Sequence, residues 1–365
     1  MKEREFLSAG LRPALIAMII LASLVILACT GAGCTAPASP AAAPATAIPP
    51  QPPLAAATSP AAGVTDAPHT PFGRIVVTNA DAAELLLVLG AEGQVVGVSD
   101  TVKNHPLLGP RYAGAANIGS WSAPDIETIL SLHPDAVISY SSYTPKNIGL
   151  ITSAGVPLLL IDCYKIDTLA SDTLLLGNLT GRNDEAARYL AFLDEYESLV
   201  RSRTANLSMD RAPRVYFESY SDYSALTMGS GGDQLIAMAG GSNIAGLLPA
   251  TSPKVNAEWV YAENPDIIVK VAAAGKSDAE LRGIRGNVSG RTGIAGTNAV
   301  MNDRVYILSN SVTYGPRSVA GLVYLAKILH PQEFADIRPQ SVLDDYAGRF
   351  VPGANLTPVF LPDLS

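Results

Sequence analysis

The sequence predicts an α/β fold of two lobes joined by one long helix, and three features lead to this prediction. Short β-branched runs alternate with helical periodicities over short connections, which is typical of parallel sheets covered by helices. Residues 183–206 carry apolar side chains at helical spacing without glycine or proline. Their acids come first and their bases last, as the helix dipole favours. A pair of segments, one on each side of this helix, also repeat each other.

The elements follow in order along the chain. In the first lobe we predict strands at 74–78, 95–98, 136–140 and 156–161, and helices at 81–89, 125–132 and 148–154. In the second lobe we predict strands at 215–218, 267–271 and 305–308, and helices at 233–239, 258–263 and 320–329. Asn79 or Asp81 can cap the first helix, and Gly90 ends it.

The N-terminal segment has the layout of a secretory signal. Basic residues precede an apolar run from Ala14 to Ala28, which at about 15 residues is shorter than the roughly 20 that span a membrane. The following residues to Pro71 are mainly Ala, Pro, Thr, Ser and Gly, a composition typical of a flexible tether. We therefore predict export, with a tether between the export signal and the folded body.

Two cysteines at this junction are candidates for a lipid anchor. Cys29 follows Ile26-Leu27-Ala28, which resembles a lipoprotein signal box, and Cys34 follows small residues without the apolar one. Lipidation of Cys29, or alternatively Cys34, would hold the chain to the membrane by acyl chains. An uncleaved N-terminal anchor predicts the same location. Cys163, the third cysteine, has no evident partner, so we expect no dependence on disulfides.

The predicted organisation has six parts. They are a signal peptide (1–28), an Ala/Pro-rich tether (29–71), an N-terminal α/β lobe (72–182), a connecting helix (183–208), a C-terminal α/β lobe (209–350) and a C-terminal tail (351–365). The net charge of -8 argues against nucleic acid, which requires basic surface. We expect a monomer.

The two lobes repeat one motif. Asp125-Ile126-Glu127 leads to Pro134-Asp135 before a strand, and Asn256-Ala257-Glu258 leads to Pro265-Asp266 before another. Both the glutamates and the Pro-Asp pairs are 131 positions apart. Two matches with the same spacing are less probable by chance than a single match. The repeat therefore predicts a duplicated lobe.

The repeated segments resemble a known family. "WSAPDIETILSLHPDAVIS" and "VNAEWVYAENPDIIV" are similar to the paired signatures of periplasmic binding proteins that serve iron-siderophore, haem and cobalamin ABC importers. "GGSNIAG" and "GLVYLAKILHP" are similar too, so the resemblance covers about residues 72–350. It implies two Rossmann-like lobes on one stiff helix, with ligand in the cleft between them. It also implies that Glu127 and Glu258 dock onto arginines of the membrane permease.

Ligands of parallel α/β units gather beyond the carboxyl ends of the strands. This rule selects the loops 79–81, 99–104, 141–143, 162–164, 219–223 and 309–317. The predicted ligand-binding residues are Trp121, Tyr143, Tyr164, Tyr220, Tyr223, Lys270, Tyr314 and Arg317. Aromatic side chains with a few cations suit a bulky, partly apolar, anionic chelate. Arg317 is the strongest individual candidate because guanidinium binds oxyanions bidentately, although any single tyrosine could be an ordinary half-buried residue.

Catalytic and metal motifs do not emerge from the sequence. There is no G-x-S-x-G elbow, and Gly275-Lys276-Ser277 lacks the first glycine of a phosphate loop. We therefore predict no enzyme, no cofactor and no bare metal site.

The function we predict is a lipid-anchored, extracytoplasmic binding protein that delivers an iron complex or corrinoid to an ABC permease. Three alternatives remain: an oxyanion receptor for molybdate or tungstate, a surface enzyme on a chelatase-like scaffold, and an adhesion or sensor domain.

Overall fold

The computed structural model of the chain describes residues 70–356 and 360–362. The predicted signal peptide, Cys29, Cys34 and nearly all of the predicted tether lie outside these residues, so lipidation stays a prediction. Over the described ranges, no helix has the length and apolar character needed to cross a membrane.

Strands and helices alternate along most of the described chain. The strands are β1 Ile75–Val77, β2 Val95–Val98, β3 Ala116–Asn117, β4 Gly119–Ser120, β5 Ala123–Pro124, β6 Ala136–Ser139, β7 Leu158–Leu160, β8 Arg214–Glu218, β9 Ser242–Asn243, β10 Ile267–Ala272, β11 Val305–Ser309 and β12 Phe360–Leu361. The helices are α1 Ala80–Val88, α2 Asp100–Lys103, α3 Leu108–Arg111, α4 Ile126–Ser131, α5 Gly149–Ser153, α6 Ile166–Thr180, α7 Asn183–Thr204, α8 Gly231–Met238, α9 Ala257–Glu263, α10 Asp278–Ser289, α11 Asn298–Met301, α12 Asn310–Thr313, α13 Ser318–Leu329 and α14 Pro339–Phe350.

The strands form two main sheets, which confirms the α/β prediction. The first sheet has the order β3-β2-β1-β6-β7 and is parallel throughout. The second has the order β12-β11-β10-β8-β9 and is parallel except for β12. The central strands are buried on both faces, which explains why they read as continuous apolar runs. Each sheet therefore directs the carboxyl ends of its parallel strands to one edge.

The predicted connecting helix is present as α7, Asn183–Thr204, and a second helix, α6, also lies between the two sheets. Helix α6 precedes α7 and packs against it. Gly181, with φ at 71°, turns the chain between them, and this left-handed conformation favours glycine. A Cβ on Gly177 would lie 2.7 Å from the Cβ of Ala186, so a glycine lets the two helices approach closely. The sequence pattern missed α6 altogether.

The segment 351–365, predicted as a tail, contributes to the second sheet. Strand β12 pairs antiparallel with β11. The Phe360 ring stacks on Tyr324 at a centroid distance of 4.5 Å, and the Tyr324 hydroxyl donates to the carbonyl of Pro362 at 2.8 Å. Residues 360–362 therefore belong to the packed body of the second lobe.

The duplication recurs in the hydrogen bonding of the two lobes. The carboxylate of Asp135 accepts from the backbone N–H of Arg74 at 2.8 Å, and that of Asp266 accepts from Arg214 at 3.0 Å. Both arginine side chains also donate to carbonyls at the C-terminal ends of α4 and α9, namely those of Leu132 and Glu263. Equivalent residues therefore make the same hydrogen bonds at the start of the first strand of each lobe, which supports a repeated structural unit.

Candidate functional site

A cleft of about 580 Å³ lies where the loops at the strand ends of the two sheets meet. We call it the aromatic cleft. Six of the eight predicted ligand-binding residues line it, namely Trp121, Tyr143, Tyr164, Tyr220, Tyr314 and Arg317. Both lobes contribute because the strand-end loops of each sheet face this space, as expected for parallel α/β units.

Five aromatic rings form a continuous wall in the cleft. Trp121 meets Tyr143 at a centroid distance of 5.0 Å and Tyr140 at 5.5 Å. Tyr164 lies 6.2 Å from Tyr140 and 6.0 Å from Tyr314, which belongs to the second lobe. The contacts are edge-on, a favourable arrangement for aromatic pairs. This aromatic wall includes Tyr140, which the sequence pattern had placed only as the last residue of a strand.

Arg317 lines the cleft but its charge is paired within the protein. Its Nε lies 2.7 Å from Oε1 of Glu84, and its Nη2 donates to Oε2 at 2.9 Å. The Tyr346 hydroxyl donates to the same Glu84 Oε1 at 2.7 Å. The guanidinium expected to bind a ligand oxyanion is therefore engaged by a carboxylate from α1 of the first lobe. Sequence spacing could not reveal this pair, since the partners are 233 positions apart.

Lys270 and Tyr223 do not line the aromatic cleft. Lys270 stands opposite Glu218 in the register of β10 and β8, and its Nζ lies 2.7 Å from Glu218 Oε1. The backbone N–H of Tyr223 donates to Glu218 Oε2 at 2.9 Å. Tyr223 follows the end of β8, as predicted, whereas Lys270 lies within β10 and not at its end. Both residues contact the buried carboxylate of Glu218 in the second lobe and therefore stay outside the cleft.

Asp81 supplies a carboxylate that the sequence pattern identified only as a helix-cap and strand-end residue. It lines the cleft, and the Tyr140 hydroxyl donates to its Oδ2 at 3.0 Å. Burial raises the pKa of Asp81 to about 7, with a further upward contribution from Glu84. The hydrogen bond from Tyr140 and the charge of Arg317 oppose that rise. Asp81 therefore changes charge near neutral pH.

Asp81→Asn is expected to stabilise the protein at pH 8 and to have little effect at pH 4. The unfolded carboxyl ionises near its ordinary pKa of 3.8, whereas the folded one keeps its proton to about pH 7. Stability therefore falls as pH rises through this window, by ~4 kcal/mol at most. Urea unfolding of both proteins at the two pH values measures the difference. An equal effect at pH 4 and pH 8 would contradict the assignment.

His105 also lines the cleft. Its Nδ1 accepts from the backbone N–H groups of Leu107 at 3.2 Å and Leu108 at 3.3 Å, and burial lowers its pKa. Across the described residues, no group of three or more His, Cys, Asp or Glu side chains could hold a metal ion. The Nδ1 atom of His105 thus stabilises the loop that contains it.

A second cavity, of about 640 Å³, adjoins the aromatic cleft. The two share His105, Ser311 and Arg317. Its described lining includes no tyrosine, tryptophan or phenylalanine. The aromatic cleft is therefore the better candidate for a bulky ligand with flat apolar faces.

The two glutamates expected to dock the permease occupy matching places. Glu127 lies in the first turn of α4 after the N-cap Asp125, and Glu258 lies in the first turn of α9 after the N-cap Asn256. Both are exposed, and no ion pair with another described residue involves either of them. The geometry leaves both carboxylates available to a partner.

The chain is similar in sequence or in structure to several known binding proteins. A cobalamin-binding protein of Halobacterium salinarum is 26% identical over 268 residues, covering 70% of this chain and 69% of that protein. The molybdate-bound MolA structure of Haemophilus influenzae has a TM-score of 0.66 at 22% identity, covering 77% of this chain and 93% of that one. A periplasmic haem-binding protein of Pseudomonas aeruginosa has a TM-score of 0.58 at 23% identity, covering 72% and 94%.

These two structures show the fold alone at such identities. The family model described as periplasmic binding protein matches residues 75–312, which is more than half of the chain. The match spans the first sheet, four of the five strands of the second sheet and most of the loops that form the aromatic cleft. The chain therefore belongs to the periplasmic binding protein family.

Proposed function

We propose that this protein captures a corrinoid or iron chelate outside the cytoplasm and delivers it to the permease of an ABC importer. The observation that carries the proposal is the aromatic wall, which presents five rings from both lobes to one cleft. Flat aromatic surface suits a macrocycle or an aromatic chelate, because such ligands gain from extended apolar contact. The cobalamin-binding relative supports the corrinoid within this class.

The charges of the cleft favour a ligand of low net charge. Arg317 is neutralised by Glu84, and Asp81 adds a carboxylate. Lys165 remains as a cation, with its Nζ 5.5 Å from the ring centroid of Tyr164. Anionic ligands would meet little uncompensated positive charge there. The anionic chelate expected from the sequence is therefore less favoured than a corrinoid.

The alternative ligand is an oxyanion such as molybdate, and the fold similarity to MolA is its support. A small oxyanion is best held by convergent amides, hydroxyls or free cations in a compact pocket. The cleft volume of about 580 Å³ and its aromatic lining suit a much larger ligand.

We also propose that Cys29, or alternatively Cys34, carries the lipid anchor.

Titration with cyanocobalamin, haemin, a ferric siderophore and molybdate tests the proposal. We expect cyanocobalamin to bind tightly and molybdate not to bind, as measured by calorimetry and by the absorbance of the recovered protein. Tyr164→Ala and Tyr314→Ala should each weaken binding about 10-fold, since each removes a ring of the aromatic wall.

Tyr261→Ala is the matched control, because this exposed tyrosine on α9 does not line the aromatic cleft. It should leave the affinity unchanged. Tight binding of molybdate, unaffected by either cleft substitution, would replace the chelate with an oxyanion as the ligand.

A further inference from the structure

Tyr220 enters the aromatic cleft on a short loop, residues 219–223, that follows β8. Its side chain is 50% exposed, so contacts within the lobe do not enclose it. At the end of the loop, Tyr223 has φ at 60°, a left-handed conformation that is unusual for a bulky side chain. Such backbone persists only where the surroundings hold it. The position of Tyr220 therefore depends on what fixes this loop.

Four charged side chains in or beside the loop contact one another, and we call them the ion cluster: Glu218, Asp222, Lys270 and Arg291. Arg291 makes two bonds to Glu218, with Nη1 2.7 Å from Oε2 and Nη2 2.9 Å from Oε1. Lys270 and Arg291 both reach Asp222 Oδ1, at 3.1 Å and 2.7 Å. Two cations and two anions balance, which permits their partial burial.

The ion cluster holds the loop at three points. Lys270 Nζ donates to the backbone carbonyl of Tyr220 at 3.0 Å, and Glu218 Oε2 accepts from the backbone N–H of Tyr223 at 2.9 Å. The guanidinium carbon of Arg291 lies 4.7 Å from the ring centroid of Tyr223, a cation–π contact. The loop is thus fastened at the backbone of Tyr220 itself and at Tyr223, three residues further along.

Stability alone does not account for this arrangement. Buried ion pairs are often no more stabilising than apolar side chains of similar volume, although they do fix geometry. Asp222 is also 67% exposed, yet both cations bond to it. An exposed acid adds little to stability. Because Asp222 belongs to the loop, however, its bonds to Lys270 and Arg291 connect the loop to both cations.

We propose that the ion cluster is a positioning device that sets Tyr220 in the aromatic cleft for contact with the bound ligand. Lys270 and Tyr223 then influence the ligand through the loop, without contacting it. The inference rests on the proposed function in one respect, namely that a ligand occupies the aromatic cleft. Its structural part, the fastening of the loop, stands independently.

A double-mutant cycle between Asp222→Ala and Tyr220→Ala tests the coupling, with cyanocobalamin as the probe. Asp222→Ala should weaken binding about 5- to 10-fold in the wild-type background and have no further effect once Tyr220 is alanine. Simple destabilisation would not produce this non-additivity. Asp278→Ala, which removes the exposed pair with Arg282 on α10, is the matched control and should leave the affinity unchanged.

Amide hydrogen exchange of residues 219–224 measures the loop without any ligand. Asp222→Ala should speed exchange there at least 10-fold, and Asp278→Ala should not. Unchanged exchange, or additive losses of affinity in the cycle, would overturn the inference. If the wild-type protein binds neither cyanocobalamin, haemin nor a ferric siderophore, the proposed function fails, while the exchange result still decides whether the ion cluster holds the loop.

Discussion

Arg317→Met is expected to lower the free energy of unfolding by about 3–5 kcal/mol, because it leaves a buried carboxylate without its cation. The side chains of Arg317 and Glu84 are only 5% and 7% exposed. Tyr346 still donates to Glu84 in the variant, but a single neutral hydroxyl cannot replace the charge and hydrogen bond of the guanidinium. Chemical denaturation of the purified protein measures the loss.

The control for this prediction is Arg282→Met, which removes an exposed pair with Asp278 on α10. Exposed pairs contribute at most about 1 kcal/mol, so this variant should unfold almost as the wild type does. The double variant Glu84→Leu with Arg317→Met should recover part of the loss, since it removes both charges together. Equal losses in Arg317→Met and Arg282→Met would show that the buried pair has no special role.

The pair of Arg317 and Glu84 also joins the two lobes. Glu84 belongs to α1 of the first lobe and Arg317 precedes α13 of the second. Beside them, the backbone N–H of Gly315 donates to the carbonyl of Tyr164 at 3.0 Å. The main hydrophobic core also runs through both lobes and the connecting helices. Variants of Arg317 are therefore expected to affect the whole body rather than ligand contact alone.

The double variant Glu127→Ala with Glu258→Ala is expected to abolish uptake and to leave ligand affinity unchanged. Both carboxylates are exposed at the starts of equivalent helices and are outside the lining of the aromatic cleft. Two separated ion pairs with a basic permease surface would orient the receptor and steer its encounter. Uptake by cells carrying the variant, together with calorimetry on the purified protein, measures the two effects.

Asp184→Ala is the matched control for the glutamate pair. Asp184 is an exposed acid in the first turn of α7, so it shares their chemistry and helix position but belongs to the connection. Uptake should be normal in this variant. Loss of ligand affinity in the double glutamate variant would instead place those residues in ligand binding and remove the docking role.

The central strands of both sheets and the long helix between the lobes could be predicted from local pattern. Continuous apolar runs identified the central strands, because strands buried on both faces carry little alternation. The repeat of Glu and Pro-Asp at one offset indicated two equivalent lobes, and equivalent hydrogen bonds from Asp135 and Asp266 recur in the structure. Helices α6, α10 and α14 were missed, and in α6 polar and apolar residues are mixed without a clear boundary before Gly181.

Six of the eight predicted ligand residues line one cleft, and five of them lie in the loops that the strand-end rule selected, since parallel strands all direct their carboxyl ends to one edge. Which charges remain available to a ligand depended on long-range partners that no local pattern contains. Arg317 pairs with Glu84 across the lobes, and Lys270 pairs with Glu218 across neighbouring strands. A buried charge is stable only beside a compensating one, and folding alone brings these partners together. Local sequence thus determined where the cleft lies, and tertiary contacts decided its charge.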